Sequence, residues 1–164
     1  MSYHSKITLN INGQTKILEV DHRWTVLDVL RNLLDLTGAK RGCNQGECGS
    51  CTVLLEGKPI NSCQFLAIQA DQKNITTIES LNQSQILHPI QQSFLEYDGA
   101  QCGFCTPGIL MSVKALLDEN PDPSIEQIKE SLSGNLCRCN AYGRIIKSVQ
   151  MAARMMRLGS KDRN

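Results

Sequence analysis

This sequence has few histidines and no long apolar runs. The first shortage argues against histidine-containing metal and catalytic sites, and the second argues against a membrane-spanning helix. The 164 residues include three histidines, His4, His22 and His88, and all three lie apart from the cysteines along the chain. This separation gives no support to a mixed His/Cys iron centre, a Cys–His nucleophile pair or a histidine-rich hydrolytic metal site. No run approaches the roughly 18 apolar residues of a membrane-spanning helix, so we expect no membrane span.

The sequence also lacks a large excess of charge of either sign. The 17 Lys and Arg residues nearly balance 16 Asp and Glu residues, which gives a formal net charge of +1. The basic residues near the C-terminus are explained as a solvated helix face, and we expect no nucleic-acid partner. There is no P-loop, no Gly-x-Gly-x-x-Gly motif and no recognisable carboxylate pair, so no organic substrate site is predicted on this chain.

The N-terminal segment MSYHSKITLNING has neither the apolar core of a secretory signal nor a twin-arginine leader. We therefore expect a cytoplasmic protein. In a reducing compartment, the eight cysteines indicate metal binding, because disulfides are rare there. A secreted disulfide scaffold is the alternative that an even number of cysteines leaves open.

The first half of the sequence, residues 1–80, has the pattern of a small mixed β-sheet crossed by one helix. KITLNIN and TKILEV alternate apolar and polar residues on either side of Asn12-Gly13, which predicts a hairpin, and CTVLLEGKPIN predicts a second one. ITTI at 75–78 is expected to form a last strand. Between the hairpins, Thr25 and Asp28 form a capping-box pair that starts the helix, whose apolar face would include Leu33.

The second half, residues 81–164, has helical spacing throughout, after a polar linker expected at 79–85. Four segments repeat apolar residues every three or four positions, which predicts a small four-helix bundle. Thr106 is expected to be the N-cap of one helix, with Pro107 at its first position. The sequence therefore predicts an α+β chain made of two domains.

Four cysteines of the first half follow the spacing of a plant-type [2Fe–2S] site. GCNQGECGSC gives Cys43-x4-Cys48-x2-Cys51, and Cys63 follows near the next hairpin. The glycines of this loop would let the backbone fold around an anionic cluster and point N–H groups at its sulfurs. Zinc also accepts four thiolates, but structural zinc sites usually combine two separated Cys pairs.

The second half carries the other cysteines as Cys102-x2-Cys105 and Cys137-x-Cys139. Residues two apart on a helix face different directions, so the last pair must lie on irregular backbone to share one centre. Cys105 and Cys139 each precede a predicted helix, and two helix N-termini could stabilise a thiolate-rich anion. A zinc site and simple core filling remain alternatives on spacing alone.

The motifs GCNQGECGSCTV, QCGFCTPG and GNLCRC, in this order, closely resemble the iron–sulfur subunit of the molybdenum hydroxylases, the xanthine dehydrogenase and aldehyde oxidoreductase family. The resemblance extends from about residue 6 to about residue 156. It implies an N-terminal plant-type ferredoxin-like (β-grasp) domain and a C-terminal all-α four-helix bundle, each with one [2Fe–2S] cluster. The implied ligands are Cys43, Cys48, Cys51 and Cys63 for one cluster and Cys102, Cys105, Cys137 and Cys139 for the other.

The same resemblance implies cofactors on other chains. A large subunit would hold a molybdenum–pterin cofactor next to the second cluster, and a medium subunit would hold FAD nearer the first, in a heterotrimer or its dimer. Gln101 and Cys139 should contact the pterin. Asn140-Ala141 stands where the family commonly has Thr-Gly; Asn140 could still cap the last helix. A free electron carrier or redox sensor is the alternative function, and a zinc-bound interaction module is a more distant one.

Overall fold

Two hairpins build the sheet of the first half. The computed structural model describes residues 3–82 and 86–161, with the backbone alone at 160 and 161. Strands β1 (His4–Ile11) and β2 (Gln14–Asp21) pair antiparallel across Asn12 and Gly13. These two residues have φ angles of 52° and 80°, the positive values that a tight two-residue hairpin requires. The predicted hairpin is confirmed.

The remaining strands are β3 (Thr52–Leu55), β4 (Lys58–Asn61) and β5 (Asn74–Thr76). The sheet has the order β2-β1-β5-β3-β4, and only β1 and β5 run parallel, so it is mixed as predicted. The last strand is shorter than the predicted 75–78, because a 3₁₀ turn begins at Ile78 and runs to Asn82.

One short helix crosses this sheet. Helix α1 (Val26–Asp28) begins at the predicted capping box and continues as a π-helical turn over Val29–Leu33. Its early apolar side chains, including Leu27 and Leu30, are fully buried against the sheet. Leu33 is 40% exposed, contrary to the prediction, because the wider π turn rotates the later residues away from the buried face.

In the second half, the described residues form four α-helices around a separate apolar core. They are α2 (Pro89–Glu96), α3 (Thr106–Glu119), α4 (Ile125–Ser131) and α5 (Tyr142–Lys161). Their buried side chains include Ile90, Phe94, Ile109, Val113, Ile128, Ile145 and Val149. The chain is therefore α+β, as predicted. None of the helices in residues 3–82 and 86–161 combines the length and the apolar character that a membrane crossing demands.

The start of α3 differs from the prediction in a way that concerns the cysteines. Thr106 is the first residue of the helix, and Cys105 occupies the N-cap position that the sequence had assigned to Thr106. The reason is that Cys105 already has α-helical backbone angles, with φ −82° and ψ −16°. A predicted metal ligand thus lies directly at a helix N-terminus.

The junction between the halves is also more ordered than a polar linker. In the 3₁₀ turn Ile78–Asn82, Leu81 is buried, and the Glu79 carboxylate accepts a 2.8 Å hydrogen bond from the Gly38 backbone N–H. This part of the predicted linker at 79–85 therefore packs on the first half, whereas residues 83–85 lie outside the described residues. The boundary between domains 1–80 and 81–164 stays a prediction.

The two halves meet where α3 packs against β3 and the cysteine loop before it. A Cβ atom at Gly108, in the first turn of α3, would lie 2.1 Å from the carbonyl oxygen of Gly49. That distance is far below van der Waals contact, so a residue without a side chain is required for α3 to approach the loop this closely. The fold therefore brings the start of α3 directly onto the first cysteine loop.

We expect Gly108→Ala to lower the free energy of unfolding by about 1–3 kcal/mol, because the added methyl group would force the two halves apart. Gly143→Ala is the matched control: it lies in the first turn of α5, and a Cβ there would meet nothing within 4 Å. This control should be neutral or stabilising by up to about 1 kcal/mol, as for Gly to Ala elsewhere in helices. Chemical denaturation of the purified holoproteins measures the free energy of unfolding of both variants. Equal values for Gly108→Ala and Gly143→Ala would contradict the close approach of α3 to the loop.

Candidate metal centres

The first cysteine loop, residues 43–51, encloses sulfur atoms with its own backbone. Three of its residues, Asn44, Gly46 and Gly49, have positive φ angles of 58°, 81° and 66°. The backbone N–H groups of Gln45 and Glu47 each donate to Cys43 Sγ at 3.3 Å, and the Cys43 N–H donates to Cys48 Sγ at 3.4 Å. Such N–H donors stabilise a negatively charged sulfur, which is the form that binds metal.

The thiols of this set differ in their electrostatics. Hydrogen bonds from backbone N–H groups, that of Gln45 above all, lower the pKa of Cys43 to about 7. Burial raises the pKa of Cys51 to about 11. Because a metal binds the deprotonated sulfur, filling this site would release protons, most of all from the buried thiol.

The second set lies at the start of two helices. The backbone N–H of Phe104 lowers the pKa of Cys102, and burial raises the pKa of Cys105 to about 12. Cys105 occupies the N-cap position of α3 without a capping side-chain hydrogen bond, and the positive end of the dipole of this fourteen-residue helix lies at its thiol. Cys139 precedes α5 as predicted, and that helix begins three positions further on, at Tyr142.

Asn140 and Ala141, between Cys139 and α5, replace the family's usual Thr-Gly, and their backbone conformations show why the replacement is tolerated. Asn140 has a φ of 56°, a left-handed conformation that Asn tolerates better than most residues. Ala141 has no positive φ, and its side chain is buried in the helical core, so a glycine is not needed there. The expected capping of α5 by Asn140 is wrong, because Ala141 is the residue directly before the helix.

The eight thiols interact in pairs. Side-chain hydrogen bonds join Cys43 to Cys48 and Cys51 to Cys63 in the first set, and Cys102 to Cys139 and Cys105 to Cys137 in the second, where, besides burial, the charge of Cys102 also raises the pKa of Cys105. Within residues 3–82 and 86–161, no three His, Cys, Asp or Glu side chains gather as they would around a single metal ion. Two thiol pairs per set are the donor arrangement of a cluster in which each of two irons takes two thiolates.

Thiols of both sets face one cavity of about 370 Å³ between the halves. Its lining includes Cys43 and Cys48 from the first set, and Cys102, Cys105 and Cys137 from the second. Cys102 is exposed, and so is Gln101 beside it. The second set therefore reaches the protein surface, whereas Cys51 and Cys63 of the first set are buried.

Three side chains that the sequence analysis did not identify hold the first loop in shape. Asn61 donates to the Gly46 carbonyl at 2.8 Å, and Gln64 donates to the Asn44 carbonyl at 3.1 Å. Arg41 joins the loop to α1, because it donates to the Asn44 side chain at 3.0 Å and pairs with Asp28 at 2.6 Å. These three residues lie within two positions of Cys43 or Cys63 in the sequence, and this closeness is the signal that could have identified them.

The second cysteine loop is bonded to the first. The buried Asn135 side chain donates to the Gly49 carbonyl at 3.0 Å and accepts from the Ser112 hydroxyl at 2.7 Å. The Leu136 N–H donates to the carbonyl of Cys48 at 2.9 Å. The residues immediately before Cys137 are thus fixed to a predicted ligand of the other set.

We expect Arg41→Gln to speed the loss of iron from the first set about fivefold, the equivalent of roughly 1 kcal/mol for a partly exposed ion pair and its hydrogen bond. Arg23→Gln is the matched control, because Arg23 also pairs with an aspartate, Asp21, at 2.6 Å but touches no cysteine loop. Release of iron to a chelator, followed by absorbance, measures the effect. Equal rates for the two variants would mean that Arg41 does not hold the loop.

Comparison with known proteins identifies both halves. Residues 9–80 match the family model of the 2Fe-2S iron-sulfur cluster binding domain, and residues 77–150 match that of the [2Fe-2S] binding domain. The aldehyde oxidoreductase iron-sulfur-binding subunit PaoA of Escherichia coli K12 is 43% identical over 162 residues, which cover 90% of this chain and 71% of that protein. The nicotinate dehydrogenase small FeS subunit of Eubacterium barkeri is 45% identical over 89% of this chain and 93% of its own.

Solved structures agree with these relatives. A chain of quinoline 2-oxidoreductase from Pseudomonas putida 86 superposes with a TM-score of 0.91 at 43% identity, covering 96% of this chain and 99% of that one. Aldehyde oxidoreductase from Desulfovibrio gigas gives a TM-score of 0.89 at 42% identity, but this chain spans only 17% of that longer one. The chain therefore belongs to the family of iron–sulfur subunits of the molybdenum hydroxylases, with two [2Fe–2S]-binding domains in sequence.

Proposed function

We propose that this chain is the electron-transfer subunit of a molybdenum hydroxylase, and that the eight cysteines are its metal ligands. Cys43, Cys48, Cys51 and Cys63 would hold one [2Fe–2S] cluster, and Cys102, Cys105, Cys137 and Cys139 would hold the other. The observation that carries the proposal is the arrangement of the thiols in two sets, with cysteines of both sets lining one cavity. Such clusters accept and release single electrons without a change of ligands.

The chain's own residues prepare each site for an anionic centre. The backbone N–H groups of Gln45 and Glu47 donate to a sulfur of the first set, and the N-terminus of α3 lies at Cys105. Both features place partial positive charge next to thiolates before any metal binds. The direct hydrogen bond from Leu136 to Cys48 keeps the two sets in contact. These residues therefore hold both sites in fixed positions.

The partners in this proposal are a large subunit with a molybdenum–pterin cofactor and a medium subunit with FAD, in a heterotrimer or its dimer. Gln101 and Cys139 would contact the pterin. The exposure of Gln101 and Cys102 supports this, because a subunit that docks here would come directly against the second set. The substrate would be chosen by the large subunit, and relatives named for aldehyde, nicotinate and quinoline indicate the range.

The finer description of the fold belongs to the same proposal. The crossing helix and mixed sheet of the first half support a ferredoxin-like β-grasp domain, and α2 to α5 support a four-helix bundle. A separate apolar core in each half supports a boundary near residue 80. The cytoplasmic location stays a prediction, which fractionation of the producing cells would check.

The cofactor content is the first prediction of this proposal. We expect four irons and four sulfides per purified chain, and two distinguishable [2Fe–2S] signals by electron paramagnetic resonance after reduction with dithionite. A large molybdenum-bearing subunit should co-purify in equal amount. Zinc in place of iron would contradict the ligand assignment, whereas two clusters on a stable monomer without partners would favour the free electron carrier.

Single cysteine replacements should separate the two sites. We expect Cys105→Ser to remove or alter one paramagnetic signal and to stop reduction of the flavin by substrate in the assembled complex. Cys48→Ser should alter the other signal and stop flavin reduction, while the molybdenum centre is still reduced by substrate. Full turnover by either variant would contradict the proposal. Co-purification of the subunits is the control, because loss of a cluster can prevent folding.

A further inference from the structure

Residues 135–137, here called the contact segment, join the two cysteine sets. Leu136 donates its N–H to the Cys48 carbonyl at 2.9 Å, and the next residue along the chain is Cys137. A ligand of the first set is thus connected to a ligand of the second set by covalent bonds and one hydrogen bond. The Leu136 side chain is 54% exposed, so packing of this side chain does not explain why the segment keeps its place.

The hydroxyl group of Tyr142 bonds the contact segment at both ends. It accepts a hydrogen bond from the Cys137 N–H at 2.9 Å and donates one to the Asn135 carbonyl at 3.0 Å. The two bonds lie on either side of Leu136. The Asn135 carbonyl shares its peptide group with the Leu136 N–H, and the Cys137 N–H belongs to the next peptide group, so the two bonds fix the direction in which the Leu136 N–H points.

Tyr142 is well placed to act as a rigid support. It is the first residue of α5, and the next turns of this helix are anchored in the core by Ile145 and Val149, both fully buried. Among the described hydrogen bonds, the hydroxyl is the partner of the Cys137 N–H and of the Asn135 carbonyl. Removing the hydroxyl would leave two partly buried polar groups without these bonds, which the segment would relieve by moving.

We propose that Tyr142 is a positioning residue that holds the contact segment on the Cys48 carbonyl and fixes Cys137 in the second set. Its consequence for electron transfer rests on the proposed function: one electron would cross this contact, reducing one site as the other is oxidised, with no bond of the chain formed or broken. The position of Cys137 itself does not depend on that step. Tyr142 therefore acts on the second set directly, through the Cys137 N–H, and on the first set only through the hydrogen bond from Leu136 to Cys48.

Tyr142→Phe in the assembled complex tests this, because phenylalanine keeps the ring and removes only the oxygen. Tyr97→Phe is the matched control: Tyr97 lies in the same half, with Lys147 over its ring at 5.1 Å, and its hydroxyl has no hydrogen bond within the described residues. We expect Tyr142→Phe to shift the paramagnetic signal and midpoint potential of the second-set cluster. The first-set signal should change less, because Tyr142 reaches that set only through Leu136, and both signals of Tyr97→Phe should match the unchanged protein.

Hydrogen–deuterium exchange gives a second readout that needs no turnover. Amides of the contact segment should exchange about tenfold faster in Tyr142→Phe, as expected for loss of partly buried hydrogen bonds. A variant with four irons whose signals, potentials and exchange all equal those of the unchanged protein would overturn the inference. If the variant fails to assemble, amide exchange is measured in the unchanged protein instead. Slow exchange at Leu136 and Cys137 then supports the inference, and exchange as fast as in an exposed loop overturns it.

The proposed function and this inference fail in different ways. Purified protein without iron would contradict the proposed function, whatever Tyr142 does. Protein with four irons, in which Tyr142→Phe changes neither the second-set signal nor exchange of the contact segment, would contradict the inference alone.

Discussion

The hydrogen bond from the buried Asn135 side chain to the Gly49 carbonyl is the constraint that orders both cysteine sets. Gly49 lies between two predicted ligands of the first set, and Asn135 lies two residues before a ligand of the second. Helix α3 also packs against this carbonyl, so closely that a Cβ atom at Gly108 would lie 2.1 Å from its oxygen. One small contact therefore determines where both loops and one helix lie. A change at this contact would disturb both sites together.

Each half is small and has its own apolar core, and small domains bury too little surface to be very stable alone. Beside the packing of α3 on β3, the joint between the halves includes backbone and polar groups of the cysteine loops, such as Leu136 to Cys48. Metal bound by these loops would therefore stabilise the joint as well as each half. This explains why so many side chains around the first loop, Asn61 and Gln64 among them, serve to hold backbone carbonyls.

Local signals in the sequence were sufficient for the hairpins and for the grouping of the cysteines. Asn12-Gly13 predicts its turn because few residue pairs tolerate two positive φ angles in succession. The predictions were wrong where the backbone departs from the regular pattern: Cys105, with helical backbone angles, occupies the N-cap position of α3 in place of Thr106, and a π turn exposes Leu33. The role of Tyr142 could not be predicted, because its bonds depend on how the loop before α5 folds back on that helix.

The two sets also differ in surroundings that would affect the reduction potential of a cluster bound at each. Reduction potentials of iron–sulfur centres depend on hydrogen bonds to sulfur and on exposure to solvent. The first set contains two buried thiols, Cys51 and Cys63, whereas Cys102 of the second set is exposed. The N–H of Cys137 bonds to a tyrosine oxygen, whereas that of Cys43 bonds to a sulfur. The contact between the halves thus controls how close the sites lie, and these separate surroundings would give a cluster bound at each site its own potential.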